Sequence, residues 1–266
     1  MSSFWGGLWE REKEFYESAQ PTLRHNTKFV AVSSIANQFY CEYKVENEFA
    51  VGEIPTEAKE TGTNLHDELM PTVAISREEF AEMVGRRKPS LGVLRVWGAA
   101  MGLRLVGMPD HIVWAEGRPL WLVELKTTRG DPNPLWEDQE NQVRIYGLLL
   151  ELMGFDCSRM RLAVVRLKTN ELDEVEKREW IARVSEALLT NEVEELEAKH
   201  RGIMKAHLLD HNRKLAEAAV ALKAGYWLNK RQPTSSTSVG KCRACEYNSV
   251  CPKSLVRTTN NPDKME

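Results

Sequence analysis

The hydrophobic pattern of this chain is helical over its first third. Apolar residues recur at helical spacing after Ser33, where Ile35 and Phe39 fall on one face. A second helical pattern runs through residues 56–71. A third begins at Ser76, a residue type that caps helices well.

The pattern then changes to short apolar runs rich in Val, Leu and Trp, which predict a meander of β-strands. The predicted strands are Gly92–Ala99, Leu103–Pro109, His111–Ala115 and Leu120–Thr127. The last of them opens with four consecutive apolar residues. That run predicts a central strand covered on both faces.

The second half of the chain returns to helical spacing. Residues 136–153 predict a helix, Met160–Leu167 a strand, and residues 178–227 a helical region throughout. Helices, then strands, then a helix, a strand and more helices predict an α/β or α+β core with a mixed sheet.

Length and composition fit one large domain, with 266 residues and 42% hydrophobic content. The predicted parts are an N-terminal extension (1–32), a main domain (33–255) with a helical segment (178–230) and a cysteine cluster (241–252), and a mobile tail (256–266).

No stretch reaches the roughly 18 consecutive apolar residues that a membrane span requires, so no membrane partner is expected. The N-terminus lacks a basic start and an apolar core, and therefore does not predict a secretory signal. A cytoplasmic location is the default expectation. Five cysteines in such a compartment argue against a disulfide framework.

Charge is distributed unevenly although the net charge is only −3. Residues 86–168 carry 13 Lys and Arg against 9 Asp and Glu, a net of +4, so the rest of the chain carries −7. A basic excess there fits a phosphate-bearing substrate. An ordinary solvated surface is the alternative interpretation.

Two carboxylates and an amine fall on neighbouring predicted strands. Asp110 precedes one strand and Glu124 lies within the next, so both can meet on one face, and strand alternation adds Lys126 to it. Carboxylates and the Leu125 carbonyl are oxygen ligands of the kind that Mg²⁺ or Mn²⁺ prefers. A surface salt-bridge cluster is the alternative, but the preceding apolar run predicts burial, which favours a functional site.

Three further residues are candidates on helix patterns. His66 could complete a metal shell, although a lone helical His is more often exposed. Gln142 and Tyr146 are four residues apart and share a helix face, from which they could contact a phosphate or brace Lys126. Tyr146 could equally be a core residue.

Four cysteines are spaced like metal ligands. Cys242, Cys245 and Cys251 lie close together, and Cys41 would supply a fourth thiolate from far upstream. Four thiolates suit either tetrahedral zinc or an iron–sulfur cluster. Cys157 fits a buried, small apolar residue better than a ligand.

The chain resembles the RecB-like PD-(D/E)XK nucleases that carry an iron–sulfur staple. These are the AddB-type subunits, eukaryotic exonuclease V and the CRISPR-associated nuclease of the adaptation module (Cas-four). The resemblance covers roughly residues 30–255 and rests on elements in the family's order. They are Cys41, His66, Gly107-Met108-Pro109-Asp110, Glu124-Leu125-Lys126, Gln142 with Tyr146, and Cys242, Cys245 and Cys251.

The resemblance implies a restriction-endonuclease-like fold and a DNA nuclease, often a single-strand exonuclease. It implies that Mg²⁺ or Mn²⁺ is bound by His66, Asp110, Glu124 and the Leu125 carbonyl. It also implies that Lys126 activates water and that Gln142 and Tyr146 support the site. The four cysteines are then expected to hold a [4Fe-4S] cluster, with [2Fe-2S] as a variant.

The expected partners are single-stranded DNA and either a CRISPR integrase or a helicase or repair protein. Two alternatives remain open. One is a catalytically inactive DNA-binding scaffold of a larger complex, and the other is the same fold with a four-cysteine zinc site.

Overall fold

A computed structural model describes residues 3–19, 21–55, 75–168, 171 and 174–256. Over these residues the chain forms an α/β fold with two mixed sheets flanked by helices, as predicted. The strands are β1 (Val30–Ala31), β2 (Ser90–Gly92), β3 (Val96–Ala100), β4 (Leu103–Gly107), β5 (His111–Ala115), β6 (Arg118–Thr127), β7 (Arg161–Leu167) and β8 (Met204–Asp210). The helices are α1 (Ser3–Glu17), α2 (Val32–Tyr40), α3 (Glu42–Val51), α4 (Arg77–Val84), α5 (Glu137–Leu152), α6 (Glu174–Thr190), α7 (Val193–Lys199), α8 (Arg213–Trp227) and α9 (Val239–Ala244), with a short 3₁₀ turn at Arg24–Asn26.

The larger sheet has the strand order β2-β5-β6-β7-β8. Strands β6 and β7 are parallel and the other neighbours are antiparallel. The smaller sheet has the order β1-β4-β3, so the predicted meander divides between two sheets after β4.

Strand β6 is the central strand that its apolar run predicted. Leu122 faces a core that also holds α5 residues such as Leu149, whereas Val123 and Leu125 face a second core with Trp180 of α6. Because apolar side chains cover both faces of β6 along most of its length, polar side chains are accommodated mainly towards its C-terminal end. The catalytic candidates lie at that end.

The predicted helix start at Ser76 is confirmed. Ser76 accepts a hydrogen bond from the backbone N–H of Glu79, and the Glu79 carboxylate accepts one from the Ser76 N–H. This capping box satisfies two donors that the first turn would otherwise leave open. The predicted helix at 136–153 and the strand at 160–167 are also confirmed, as α5 and β7.

The prediction of a helical region throughout 178–227 is wrong over Met204–Asp210, which forms β8. Met204 and Ala206 are buried with period two, and Gly202 adopts a positive φ of 77° just before the strand. Pairing with β8 satisfies backbone N–H and C=O groups of β7, which would lie unpaired at the edge of the sheet if Met204–Asp210 were helical. Tertiary pairing therefore overrides the leucine-rich pattern.

Helix α1, in the N-terminal segment, packs into the main core. Trp5, Leu8 and Phe15 of α1 are buried in the same cluster as α5. The helix predicted over residues 56–71, with His66, lies outside the described residues, and so does the predicted tail from residue 257 on. Within the described part of the chain, no helix is long and apolar enough to cross a membrane.

Strand β8 forms an outer edge of the larger sheet. The carboxylate of Glu197 accepts a hydrogen bond from the Ala206 N–H at 2.7 Å and another from Lys205 Nζ at 2.7 Å. The Glu197 side chain of α7 therefore accepts a hydrogen bond from a backbone N–H of β8 that faces away from the sheet.

A buried carboxylate joins the first helices to the C-terminal segment. Glu42, which is 1% exposed, accepts two hydrogen bonds from the Arg231 guanidinium, at 2.5 and 2.6 Å. It also accepts from the backbone N–H of Thr234 at 2.8 Å, and from Gln38 at 3.0 Å. We call this set of contacts the Glu42 clamp. Helix α2 ends beside it, because Cys41 is extended, with φ −172°.

The Glu42 clamp should stabilise the fold in a pH-dependent way. Burial raises the pKa of Glu42, but hydrogen bonds from Arg231 and Thr234 outweigh it, so the pKa lies below its ordinary value of 4.5. A lowered pKa stabilises the fold above 4.5, and this stability is lost as pH falls through the folded-state pKa. Glu42→Gln should lower the free energy of unfolding at neutral pH by about 2 kcal/mol, measured by chemical denaturation.

The matched control is Glu17→Gln, which removes an exposed i,i+4 pair with Lys13. Its effect should stay below about 0.5 kcal/mol. A Glu42→Gln protein that is as stable as wild type at neutral pH would contradict the clamp.

Candidate active site and cysteine pocket

Asp110 and Glu124 lie opposite each other, Asp110 just before the start of β5 and Glu124 in the C-terminal half of β6. His111 pairs with Val123, so the register places Asp110 opposite Glu124 on the same face of the sheet. The Asp110 carboxylate accepts a hydrogen bond from the backbone N–H of Leu125 at 2.7 Å. The Leu125 side chain points the other way, into the second core.

Lys126 links these carboxylates to helix α5. Its Nζ donates to Glu124 Oε1 at 2.7 Å and to Gln142 Oε1 at 3.0 Å. The Gln142 amide then donates to the Tyr146 hydroxyl at 3.3 Å. Five residues that the sequence singled out are therefore brought together on one face of β6, and four of them form a continuous hydrogen-bonded chain.

Burial decides the electrostatics of this group. Glu124 is 1% exposed, while the Lys126 side chain retains 27% of its exposure. Burial lowers the pKa of Lys126, but the carboxylates of Glu124 and Asp110 outweigh this and raise the pKa above its ordinary value of 10.5. Lys126 is therefore an ammonium group at neutral pH. Burial, followed by the charge of Glu124, raises the pKa of Tyr146, which remains a neutral phenol.

Gly107 explains why the Tyr146 ring can approach the site. A Cβ at residue 107 would lie 2.5 Å from Tyr146 Cε1 and 3.1 Å from Val32 Cγ2. The phenol packs directly on the backbone of β4, three residues before Asp110. The glycine of the Gly-x-Pro-Asp motif is thus needed for packing.

One charged residue on the same face of the sheet as Lys126 was not predicted from the sequence. Arg166 of β7 pairs in register with Lys126 and is buried. Its guanidinium donates to the backbone carbonyl of Pro134, in the loop between β6 and α5. An arginine within the otherwise apolar run of β7 was the available signal, because a buried guanidinium must have partners.

The four predicted cysteine ligands line one pocket. Cys41 lies at the break between α2 and α3, and its Sγ accepts a hydrogen bond from the Ser236 N–H at 3.3 Å. Cys242, Cys245 and Cys251 reach the same pocket from the C-terminal segment. The pocket has about 350 Å³ of free space, including solvent at its mouth. All five cysteines are free thiols.

Neither group of residues is a closed single-ion site. In the part of the chain that the structure describes, no three His, Cys, Asp or Glu side chains lie close enough together to hold a metal ion. His66 lies outside that part. The donor types fit the expected groups nonetheless, with hard oxygens at the carboxylates and thiols in the pocket.

Cys157 is separate from the pocket, as predicted. It is buried in the main core, and burial raises the pKa of its thiol to about 12. Such a thiol is protonated at neutral pH and is a poor metal ligand.

The sequence model of the PD-(D/E)XK nuclease superfamily matches residues 15–252. The chain therefore belongs to the PD-(D/E)XK nuclease superfamily. No curated protein matches the sequence. A solved structure described as "Crystal structure of SSO0001" is similar at 14% identity with a TM-score of 0.46, over 93% of this chain and 95% of that one.

Substituting Gly107 tests the packing at the site. Gly107→Ala should lower the free energy of unfolding by about 1–3 kcal/mol, because the new methyl group overlaps the Tyr146 ring. Chemical denaturation measures this change.

Gly130→Ala is the matched control, since a Cβ there would meet nothing closer than Thr128 Oγ1 at 3.8 Å. It should leave stability within about 0.5 kcal/mol of wild type. Equal stability of the two variants would show that the Tyr146 ring does not pack on Gly107.

Proposed function

We propose that this protein is a metal-dependent DNA nuclease that prefers single strands and acts as an exonuclease. The observation that carries the proposal is the constellation at the end of β6, where Asp110, Glu124 and Lys126 converge with Gln142 and Tyr146. It lies within a chain of the PD-(D/E)XK nuclease superfamily. A buried carboxylate paired with a half-buried ammonium group is costly to maintain in a core strand, which favours use in chemistry.

Asp110, Glu124 and the Leu125 carbonyl are the proposed ligands for Mg²⁺ or Mn²⁺, with His66 as a fourth. A divalent ion at this position would neutralise the charge of the phosphodiester and lower the pKa of an attacking water. The protein contributes the orientation of these oxygens. The Leu125 N–H fixes one Asp110 oxygen, and Lys126 fixes one Glu124 oxygen.

Lys126 is proposed to position the attacking water and to stabilise the charge that develops on the phosphate. Its ammonium group, which already donates to Glu124 Oε1 at 2.7 Å, does so as a charged hydrogen-bond donor. Gln142 holds the ammonium in place, and Tyr146 in turn holds Gln142. These residues restrict the lysine before substrate arrives, so little reorganisation is needed during the reaction.

The cysteine pocket is proposed to hold a [4Fe-4S] cluster that staples Cys41 to the C-terminal segment. Four thiols line one pocket, yet no three of them are close enough for a single ion. Four thiolates are the ligand set of a [4Fe-4S] cluster, which supports this proposal, and a four-cysteine zinc site is the alternative. The proposed setting is CRISPR spacer acquisition beside an integrase, or DNA repair beside a helicase.

Removing the buried carboxylate should abolish hydrolysis. Glu124→Gln keeps the shape of the side chain but removes its charge, and it should slow the cutting of end-labelled single-stranded DNA in Mn²⁺ by more than about 100-fold. Chelation of the divalent ion should have the same effect on wild type.

Glu82→Gln is the control, because it changes an exposed acid that pairs with Arg86 of the next turn. It should cut as wild type does, and circular dichroism should report a folded protein for both variants. Equal cutting by Glu124→Gln and wild type would remove the assignment of this site.

The cysteines can be tested without reference to activity. Protein purified without oxygen should be brown and contain iron, and Cys245→Ala should lose both colour and iron. Cys157→Ala should retain both, because Cys157 lies in the main core. A colourless wild-type protein with stoichiometric zinc would replace the cluster with a four-cysteine zinc site.

A further inference from the structure

Trp136 is unusual among the eight tryptophans of this chain. Six of the eight are buried, and Trp9 packs partly against the main core. Trp136 keeps 50% of its surface exposed. An isolated exposed apolar residue needs no explanation, but an indole beside a candidate phosphodiester site is a different case.

The position of Trp136 is fixed relative to the site. It lies directly before α5, the helix that carries Gln142 and Tyr146, and it ends the loop that leaves β6 after Lys126. Both ends of that loop are therefore tied to residues of the candidate site. The indole is thus carried on the segment that connects Lys126 to Gln142.

A residue of the larger sheet also contacts this loop. Arg166, next to Lys126 in register, donates to the Pro134 carbonyl, and its guanidinium carbon lies 5.9 Å from the centre of the Trp136 ring. The loop that carries Trp136 is therefore attached to the sheet by a hydrogen bond, and the Arg166 guanidinium lies near the indole ring.

The surroundings of Trp136 suit a base better than a phosphate. Asp131, Glu137 and Asp138 are neighbours in sequence, and the charges of Asp131 and Asp138 both act on Arg166. Carboxylates repel phosphate oxygens, whereas the flat face of a nucleobase carries no such charge. An exposed ring can stack on any base, because every base has a π-face.

We propose that Trp136 is a stacking platform for one base of the single-stranded DNA substrate, next to the scissile phosphate. This inference rests on the proposed nuclease function and adds a binding residue to it. Trp136 touches the substrate through its ring and takes no part in bond cleavage. Stacking of an unpaired base also supplies a physical reason for a single-strand preference, since a duplex keeps its bases stacked on each other.

The test compares Trp136→Ala with Trp136→Phe in a Glu124→Gln background that binds DNA without cutting it. Trp136→Ala should raise the Kd for a single-stranded oligonucleotide by about tenfold or more, while Trp136→Phe should stay within about threefold. In the cutting-competent protein, Trp136→Ala should raise KM and leave kcat nearly unchanged. Phe49→Ala removes an aromatic ring of similar exposure (44%) from α3 and should change neither value.

An abasic-site scan separates stacking from structural damage. At one position of the oligonucleotide, removal of the base should weaken binding to the protein that retains Trp136 by the same factor as Trp136→Ala does. The same abasic oligonucleotide should bind the Trp136→Ala variant no more weakly than the intact oligonucleotide does. Two results would contradict the stacking role of Trp136 without contradicting the nuclease function, provided that the wild-type protein cuts DNA. One is an additive loss of affinity at every abasic position, and the other is an unchanged Kd for Trp136→Ala. A wild-type protein that neither binds nor cuts DNA would overturn both.

Discussion

The contact between Glu124 and Lys126 constrains the arrangement of everything around it. The carboxylate is almost fully buried at the end of a strand whose other side chains pack into two apolar cores. A lone charge there would be costly, so the ammonium must reach it and must itself be held. Gln142 supplies that hold from α5, and Asp110 adds a second negative charge from β5. The positions of a helix and a neighbouring strand thus follow from the need to satisfy one ion pair.

A second polar contact joins two residues that lie 189 positions apart in the sequence. The Glu42 clamp fixes the residue after Cys41 to Arg231 and Thr234, and the Cys41 sulfur meets Ser236 two residues further on. The cysteine pocket is therefore closed partly by hydrogen bonds that do not involve sulfur. Residues 41–42 and the segment 231–251 are therefore joined by a charged contact and also line the same pocket.

Much of the fold could be predicted because local signals agreed with the final packing. The capping residue Ser76, the apolar run before Glu124 and the spacing of Gln142 and Tyr146 each pointed to the element that forms. The alternation of strand faces also predicted that Asp110, Glu124 and Lys126 would meet. Strand β8 was not predictable in this way, since its leucines suit a helix and only β7 makes it a strand. Arg166 was missed for a related reason, because its place beside Lys126 depends on a register between segments forty residues apart.

The carboxylate of Glu197 beside β8 has a consequence for how this protein meets other chains. An open strand edge is a template on which a second polypeptide can add itself, and repeated addition produces fibrils. Here an acidic side chain already occupies a donor of that edge, and its partner Lys205 adds charge alongside. The opposite edge is β2, only three residues long. A sheet built this way discourages self-templated growth at both of its margins.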